Sequence, residues 1–193
     1  SLSIAEKLGL ELSTPQSQRD LSVSYNEVGD ILREQGDFTG ALDMFRKSLS
    51  IAEKLGLELS TPQSQRDLSV SYDRVGEILQ EQRDFTGALD MFRKSLSIRE
   101  NLSLELGTPQ SQRDLSVSYD RVGEILQEQR DFTGALDMFR KSLSIRENLS
   151  LELGTPQSQR DLSVSYDRVG KILQEQGDFT GALDMFRKSL SID

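Results

Sequence analysis

The sequence contains no cysteine, no histidine and no tryptophan among its 193 residues. Without cysteine it can form no disulfide and offers neither a thiolate nucleophile nor a cysteine-type zinc site. Without histidine it lacks the residue most often used for acid–base catalysis and for binding metals. No apolar run approaches the ~20 residues that span a bilayer, and no signal peptide opens the chain. These absences argue against most classes of enzyme and against a membrane protein.

Positive charge is also scarce, because 23 Lys and Arg residues face 32 Asp and Glu residues, giving a net charge of -9. Nucleic acids and anionic membranes attract Lys and Arg, so we expect neither as a partner. We also expect no cofactor and a cytoplasmic location. The chain starts at Ser1 without Met, and we expect it to be part of a longer protein.

The sequence is dominated by a repeat. The string SLSI begins at Ser1, Ser48, Ser95, Ser142 and Ser189, so the period is 47 residues. Four full units cover 1–47, 48–94, 95–141 and 142–188, and a stub covers 189–193. The first and second units differ at 5 positions, the second and third at 4, and the third and fourth at 2. A period of this length is typical of solenoids and propellers.

Each unit has the pattern of two helices. Apolar residues recur at helical spacing in both halves of the first unit, at Leu21, Tyr25, Val28 and Leu32, and then at Phe38, Ala41, Leu42, Phe45, Leu49 and Ala52. Thr14 and Pro15 suit a helix start, and Asp37 suits a second cap. The pattern predicts helix A over 15–35 and helix B over 38–56, with 57–61 leading into the next copy. It also predicts that 1–8 end an earlier helix B and that the last helix B stops at Asp193.

The turn between the two helices varies among the copies. Gly36 ends helix A in the first copy, Arg83 and Arg130 replace it in the middle copies, and Gly177 restores it in the last. We therefore expect that the left-handed conformation of glycine is not obligatory at this turn, with a cost of ~1 kcal/mol where Arg adopts it.

Repeated carboxylates and aromatic residues do not indicate catalysis or nucleic-acid binding. Pairs such as Asp37 and Asp43 recur in every copy, whereas an active site is a single converging group of residues. We interpret them as a cap and a solvated helix face, and we expect no enzyme activity. The Tyr and Phe residues lie on the apolar stripes, which favours a role in the core over base stacking.

The unit resembles the tetratricopeptide repeat. The aromatic, aliphatic and small residues typical of that family correspond to Tyr25, Val28, Gly29, Leu32, Gly36, Phe38, Ala41, Phe45 and Ser48. The resemblance implies an all-α, tetratricopeptide-like helical-hairpin solenoid, or superhelix, formed by four near-identical repeats in a single domain, 1–193. The 47-residue unit exceeds the family's usual length of about 34 and is similar to the long repeats of kinesin light chains. Glu53 stands where a proline commonly ends helix B.

Three of the five positions that separate the first copy from the second fall at sites that the resemblance places in a concave groove formed by the first helix of each repeat. In similar proteins this groove holds extended peptides. The implied partner-binding residues are Asn26, Asp30, Arg33, Asp73, Glu77, Gln80, Asp120, Glu124, Gln127, Asp167, Lys171 and Gln174. Drift on exposed positions is the alternative explanation for the differences.

Acidic residues in the groove suggest the partner's charge. Asp73, Glu77 and Glu81 follow one another at intervals of four residues, and Asp120, Glu124 and Glu128 repeat the pattern. Such a surface favours a basic or neutral protein segment. Because Lys171 interrupts the acidic pattern in the fourth copy, we expect the partner to lie in a preferred direction, with its positive charges toward the middle copies. Arg74 and Arg121 are expected to offset part of the charge. The alternative is a solvated acidic face that aids solubility.

The sequence therefore predicts a protein–protein interaction scaffold that binds a peptide or protein segment. The alternative is a structural spacer, or an array that stacks end to end without a specific ligand. Head-to-tail self-association is expected in either case, because both ends of the chain cut through helix B and expose apolar residues.

Overall fold

A computed structural model describes residues 14–192, which form eight α-helices and no β-strand within that range. The helices are α1 (Pro15–Glu34), α2 (Phe38–Leu59), α3 (Pro62–Glu81), α4 (Phe85–Leu106), α5 (Pro109–Glu128), α6 (Phe132–Leu153), α7 (Pro156–Glu175) and α8 (Phe179–Leu190). Odd-numbered helices are A helices and even-numbered helices are B helices. Consecutive helices pack as in a helical-repeat solenoid, which confirms the predicted fold class.

The chain forms two compact units, residues 1–98 and residues 99–193, here called unit 1 and unit 2. Unit 1 includes α1, α2 and α3, and unit 2 includes α5 to α8. The expected end of an earlier helix B over 1–8 lies outside the described residues, as does Asp193.

The A helices begin where the sequence predicts, at a threonine cap followed by proline. Thr61 Oγ1 accepts a hydrogen bond from the Ser64 amide at 3.2 Å, and Ser64 Oγ accepts one from the Thr61 amide at 3.0 Å. Pro62 follows at the first helical position, where its missing N–H group costs nothing. The same reciprocal capping occurs at the start of α1, α5 and α7.

The B helices begin at an aspartate cap, and α2, α4 and α6 run three residues beyond the predicted end, whereas α8 ends at Leu190. Asp37 accepts from the Gly40 amide at 2.9 Å. Helix α2 continues through Gly56 to Leu59, because Leu and Glu residues favour a helix and one glycine costs only about 1 kcal/mol. Ser60 then adopts a left-handed conformation at φ 47° and ends the helix. The prediction that 57–61 form a connecting segment is therefore wrong for 57–59, and only 60–61 connect α2 to α3.

The A–B turn keeps its left-handed residue even where glycine is absent. Arg83 and Arg130 have φ values of 62° and 64°, next to 80° at Gly36 and 81° at Gly177. The conformation allows the Asp84 amide to donate to the Leu79 carbonyl at 2.8 Å, which closes the helix end. The expectation that this conformation is not obligatory is therefore wrong, and the two arginines carry its strain.

Small residues let the two helices of each repeat cross closely. Phe45 is 1% exposed, and a Cβ atom added to Gly29 would lie 2.6 Å from its ring. Gly123 lies equally close to Phe139 in unit 2, where the corresponding distance is 2.7 Å. This packing fixes the A helix against the B helix and leaves the other side of the A helix available for contacts.

Candidate partner-binding face

All twelve predicted binding residues lie on A helices. The side of the A helices that carries these residues is here called the A-helix face. Lys171 and Gln174 are exposed. Intermediate exposure is found at Asn26, Asp30, Arg33, Glu77, Gln80, Glu124, Gln127 and Asp167. Asp73 and Asp120, in contrast, are each only 4% exposed. The expectation that these two aspartates lie on an open surface is therefore wrong, because they are packed between helices.

In unit 1, ion pairs join the A helices α1 and α3. Arg33 on α1 donates to Glu77 at 3.1 Å and also pairs with Glu81 on α3. Arg74 on α3 donates to Asp30 on α1 at 2.6 Å. Arg33 therefore pairs with Glu77 and Glu81 of the acidic series, whereas Arg74 pairs with Asp30. The expected compensation of that series by Arg74 and Arg121 stays a prediction.

In unit 2, a more buried network joins α5, α6 and α7. Asp120 accepts from Arg146 Nη2 at 2.6 Å and pairs with Arg168 Nη1 at 3.2 Å. Arg168 also pairs with Glu124 at 2.7 Å. Arginines of the same unit thus neutralise most of the predicted acidic residues. The paired carboxylates stabilise helix packing and contribute less to the attraction of a partner.

A pocket of about 270 Å³ opens between α1, α2 and α3 of unit 1. Its walls include the apolar side chains of Val23, Ala52, Leu55 and Val70, and its polar lining includes Arg19, Ser22, Asn26, Ser64, Arg66, Asp67 and Ser71. Asn26 Oδ1 is buried there and accepts no hydrogen bond. The pocket thus combines an apolar wall with a buried acceptor that has no partner.

The equivalent place in unit 2 contains the side chain of Arg146, at the repeat position of Ala52. Arg146 Nε donates to Ser116 Oγ at 3.2 Å, and its Nη1 donates to Ser165 Oγ at 2.8 Å and to the Asp161 carbonyl at 3.2 Å. A smaller pocket of about 110 Å³ remains beside it. An arginine therefore fills in unit 2 the space that stays open in unit 1.

The sequence interpretation missed this pocket, although the repeats contain a signal for it. Ala52 and Asn26 form this pair in unit 1, whereas the corresponding pairs are Arg99 with Asp73, and Arg146 with Asp120. The joint loss of an arginine and an aspartate indicates contact between the two positions.

The A helices also expose one valine in several repeats. Val23, Val70 and Val164 occupy the same repeat position, and each is exposed, Val23 to 54%. The sequence interpretation assigned no function to them. Exposed apolar side chains next to polar groups are typical of surfaces that bind other proteins.

On each of the A helices α3, α5 and α7, a tyrosine is joined to the preceding B helix. Tyr72 donates to Glu53 at 2.8 Å, and Tyr166 donates to Glu147 at 2.8 Å. Burial, together with the neighbouring carboxylate, raises the pKa of Tyr72 and of Tyr166 to about 12. These residues bind the helices together and lie in no converging catalytic group.

Neither a metal site nor a membrane span is found in the part of the chain that the structure describes. No group of three acidic residues among residues 14–192 is placed to hold a metal ion. Likewise, no helix within that range is long and apolar enough to cross a membrane.

The fold and the A-helix face together define a class of protein, the helical-hairpin repeat solenoids. Two family models, both described as tetratricopeptide repeat, match this chain, one over residues 20–101 and the other over 115–150 and 162–192. The chain belongs to the tetratricopeptide repeat family, which confirms the resemblance seen in its sequence. Members of this family are typically non-enzymatic, and the repeats of this chain support a general role as a scaffold for protein–protein interaction.

Solved structures with the same fold include BtubC (BKLC) from P. vanneervenii and the apo form of RapI. BtubC is 18% identical, with a TM-score of 0.72, and the match covers 93% of this chain and 64% of BtubC. RapI is 17% identical, with a TM-score of 0.73, and the match covers 99% of this chain and 61% of RapI. The chain thus spans less than two thirds of either protein. No curated protein sequence matches it.

Proposed function

We propose that the A-helix face is a groove that holds a peptide or protein segment. The observation that carries this proposal is the open pocket of about 270 Å³ in unit 1, which lies beside the exposed Val23 and Val70. Partner side chains gain affinity chiefly by filling such pockets and excluding water from apolar walls. The proposal includes a single solenoid domain over 1–193 and a cytoplasmic location.

The proposed partner is a neutral or basic segment. The net charge of -9 supports this preference through long-range attraction. The paired carboxylates contribute less, because Glu77 and Asp30 already bind Arg33 and Arg74. Recognition therefore depends on contacts in the pocket and along the exposed valines, and each exposed charge pair adds only about 0–1 kcal/mol.

Site-specific photo-crosslinking tests where the partner binds. A photoreactive residue replaces Gln80 on the A-helix face, or the exposed Arg93 on the B helix α4 as a matched control. In a lysate of the source cells we expect a discrete set of polypeptides to be linked at position 80 and not at position 93. Linkage of the same polypeptides at position 93 alone would contradict the proposed face.

End-to-end stacking is a second candidate, supported by the last helix. Leu190 on α8 is 76% exposed, whereas Leu143 at the same repeat position on α6 is only 8% exposed beneath α7. Leu183 is likewise exposed, although the corresponding Leu136 is buried. Another repeat can therefore pack on this face of α8. In end-to-end stacking, that repeat belongs to a second copy of the chain.

Sedimentation velocity tests the stacking directly. We expect the sedimentation coefficient to rise with concentration for the unmodified chain and to stay constant for the L183E/L190E variant. The L151E variant, altered at a leucine of α6 that is exposed, is the control and should associate normally. A concentration-independent coefficient for the unmodified chain would exclude stacking.

A further inference from the structure

The pocket in unit 1 has the same walls as the arginine site in unit 2. Repeat positions filled by Arg19, Leu55, Ser64 and Asp67 carry Arg113, Leu149, Ser158 and Asp161 in unit 2, so these four wall residues are identical in kind. The two sites differ at the arginine itself, because Ala52 replaces Arg146, and at one acceptor, because Asn26 replaces Asp120. The open volume is about 270 Å³ without the arginine and about 110 Å³ with it.

We propose that this pocket binds the guanidinium group of an arginine side chain supplied by the partner. The inference rests on the proposed function only for the source of that arginine, which is a segment held on the A-helix face. The guanidinium would take the place that Arg146 occupies within unit 2, and its aliphatic stem would contact the apolar wall formed by Val23 and Val70.

The acceptors that bind Arg146 have counterparts in unit 1. Ser116 Oγ, Ser165 Oγ and the Asp161 carbonyl accept its hydrogen bonds, and the corresponding groups are Ser22 Oγ, Ser71 Oγ and the Asp67 carbonyl. The fourth acceptor, the Asp120 carboxylate, is replaced by the amide of Asn26. A guanidinium carries five donors in a planar fork and suits several acceptors on different helices.

Asn26 supplies independent support for a donor ligand. Its Oδ1 atom is buried without a hydrogen-bond partner, which costs free energy until a donor reaches it. In unit 2 the equivalent Asp120 accepts from Arg146 and pairs with Arg168 through Oδ2, while its Oδ1 atom is also buried without a hydrogen-bond partner. An incoming guanidinium would supply the donor that Asn26 lacks.

Charged groups of both signs line the pocket, Arg19 and Arg66 beside Asp67, so hydrogen-bond acceptors rather than net charge favour arginine over other ligands. The Asp67 carboxylate lies on the wall, where it accepts from Gln63 at 2.7 Å and faces Arg19 Nε at 3.7 Å. A carboxylate ligand has no donor to offer the buried Asn26 oxygen. A lysine has three donors on a single atom, so it cannot reach acceptors on both α1 and α3 as a guanidinium can.

The test is a titration of the full chain with N-acetyl-arginine methylamide, followed by NMR of side-chain amides. Asn26 is one of only three asparagines, with Asn101 and Asn148, so its amide signal is assigned by its loss in N26D. We expect a saturable shift of that signal. Because hydrogen bonds to a charged acceptor are stronger, we expect N26D, followed through the other shifted amides, to bind about 10-fold more tightly.

Filling the pocket should abolish binding. In A52R the introduced side chain occupies the site, so we expect no saturable shift, whereas S50R adds the same charge on an exposed position of α2 and should bind normally. N101D is the matched control for N26D. The A52R/N26D variant recreates the pair of unit 2, so we expect it to fold and to have lost binding.

The inference is overturned if A52R/N26D binds the probe as the unmodified chain does. It is also overturned if the citrulline or lysine analogue binds equally well, or if the glutamate analogue binds better. These results concern the pocket alone. Crosslinking of a partner at position 80 would still support the proposed function if the arginine probe failed, so the two failures are distinguishable.

Discussion

At the scale of single residues, the buried pair Arg146 and Asp120 shows that the copies are not equivalent. Both side chains are almost completely buried, and Arg146 reaches groups on α5 and α7 at once. Unit 1 has Ala52 and Asn26 at the same repeat positions and still folds around them. Both the charged pair and the neutral combination of Ala52 and Asn26 are therefore compatible with the fold. Removing only one member of the charged pair is what should destabilise it.

We predict that R146A lowers the free energy of unfolding by about 3 kcal/mol, because Asp120 is left buried with only Arg168 as a cation. The R146A/D120N variant should lose much less, since it reproduces the neutral combination of unit 1. Urea denaturation followed by circular dichroism measures both values. R160A removes an exposed arginine of α7 and serves as the control. An equal loss in the single and double variants would contradict this account.

Strain at Arg83 gives a second prediction at this scale. Its φ of 62° is unfavourable for a residue with a Cβ atom, whereas Gly36 and Gly177 adopt the same turn freely. We predict that R83G raises the free energy of unfolding by about 0.5 kcal/mol, after allowing for the greater entropy of glycine in the unfolded chain. R83A removes the same side chain but keeps the strain, so it should show no gain. A gain of equal size in R83A would show that the backbone is not the cause.

At the scale of helices, the tyrosine–glutamate hydrogen bonds join each B helix to the next A helix. They link Tyr72 on α3 to Glu53 on α2 and Tyr166 on α7 to Glu147 on α6. Because burial and these carboxylates favour the neutral phenol, the folded pKa of about 12 exceeds the ordinary value of 10.0. The stabilisation is fully present below pH 10 and is lost as pH rises toward 12.

We therefore predict that the free energy of unfolding falls between pH 10 and pH 12 and that the fall is shallower in Y72F/Y166F. Chemical denaturation at a series of pH values measures the difference between the two proteins. Ionisation of the tyrosines can be followed separately by their ultraviolet absorbance. Parallel curves for the two proteins would show that these phenols do not contribute to the pH dependence.

Much of the helical structure could be predicted from the sequence. The 47-residue period, the spacing of Tyr25 and Phe45, and the Thr14 and Asp37 caps were sufficient to predict the helical hairpins. The end of helix B was predicted three residues too early, because Gly56 has the form of a stop signal but lies within the helix. Its ending is set instead by Ser60 and the proline two positions later.

The candidate site was predicted less completely, because its chemistry depends on contacts between helices. The residues were correctly placed on A helices, but the burial of Asp120 and its pairing with Arg146 join positions 26 residues apart. Helical periodicity alone does not show which side chains from different helices meet. Comparison of Ala52 and Asn26 with their counterparts contained that information, since the two positions change together among the copies.

At the scale of the whole molecule, the proposal of one solenoid domain predicts a single cooperative unfolding transition. Repeats stabilise one another through their interfaces, so stability should also increase with the number of copies. Differential scanning calorimetry of the full chain tests this prediction. Two separate transitions, assigned to residues 1–98 and 99–193, would show that the two compact units unfold independently.

The central claim is that the A-helix face binds a protein segment. The most direct test is to measure how tightly a segment identified by crosslinking binds to matched surface variants. The V23E/V70E variant places carboxylates on that face, whereas L57E/L104E makes the same kind of change at B-helix leucines that are more exposed. With the segment as a synthetic peptide in calorimetry, we predict at least about 10-fold weaker binding for V23E/V70E, since buried apolar contacts dominate interfaces, and no change for L57E/L104E. Unchanged affinity in V23E/V70E, with a loss in L57E/L104E, would contradict the claim.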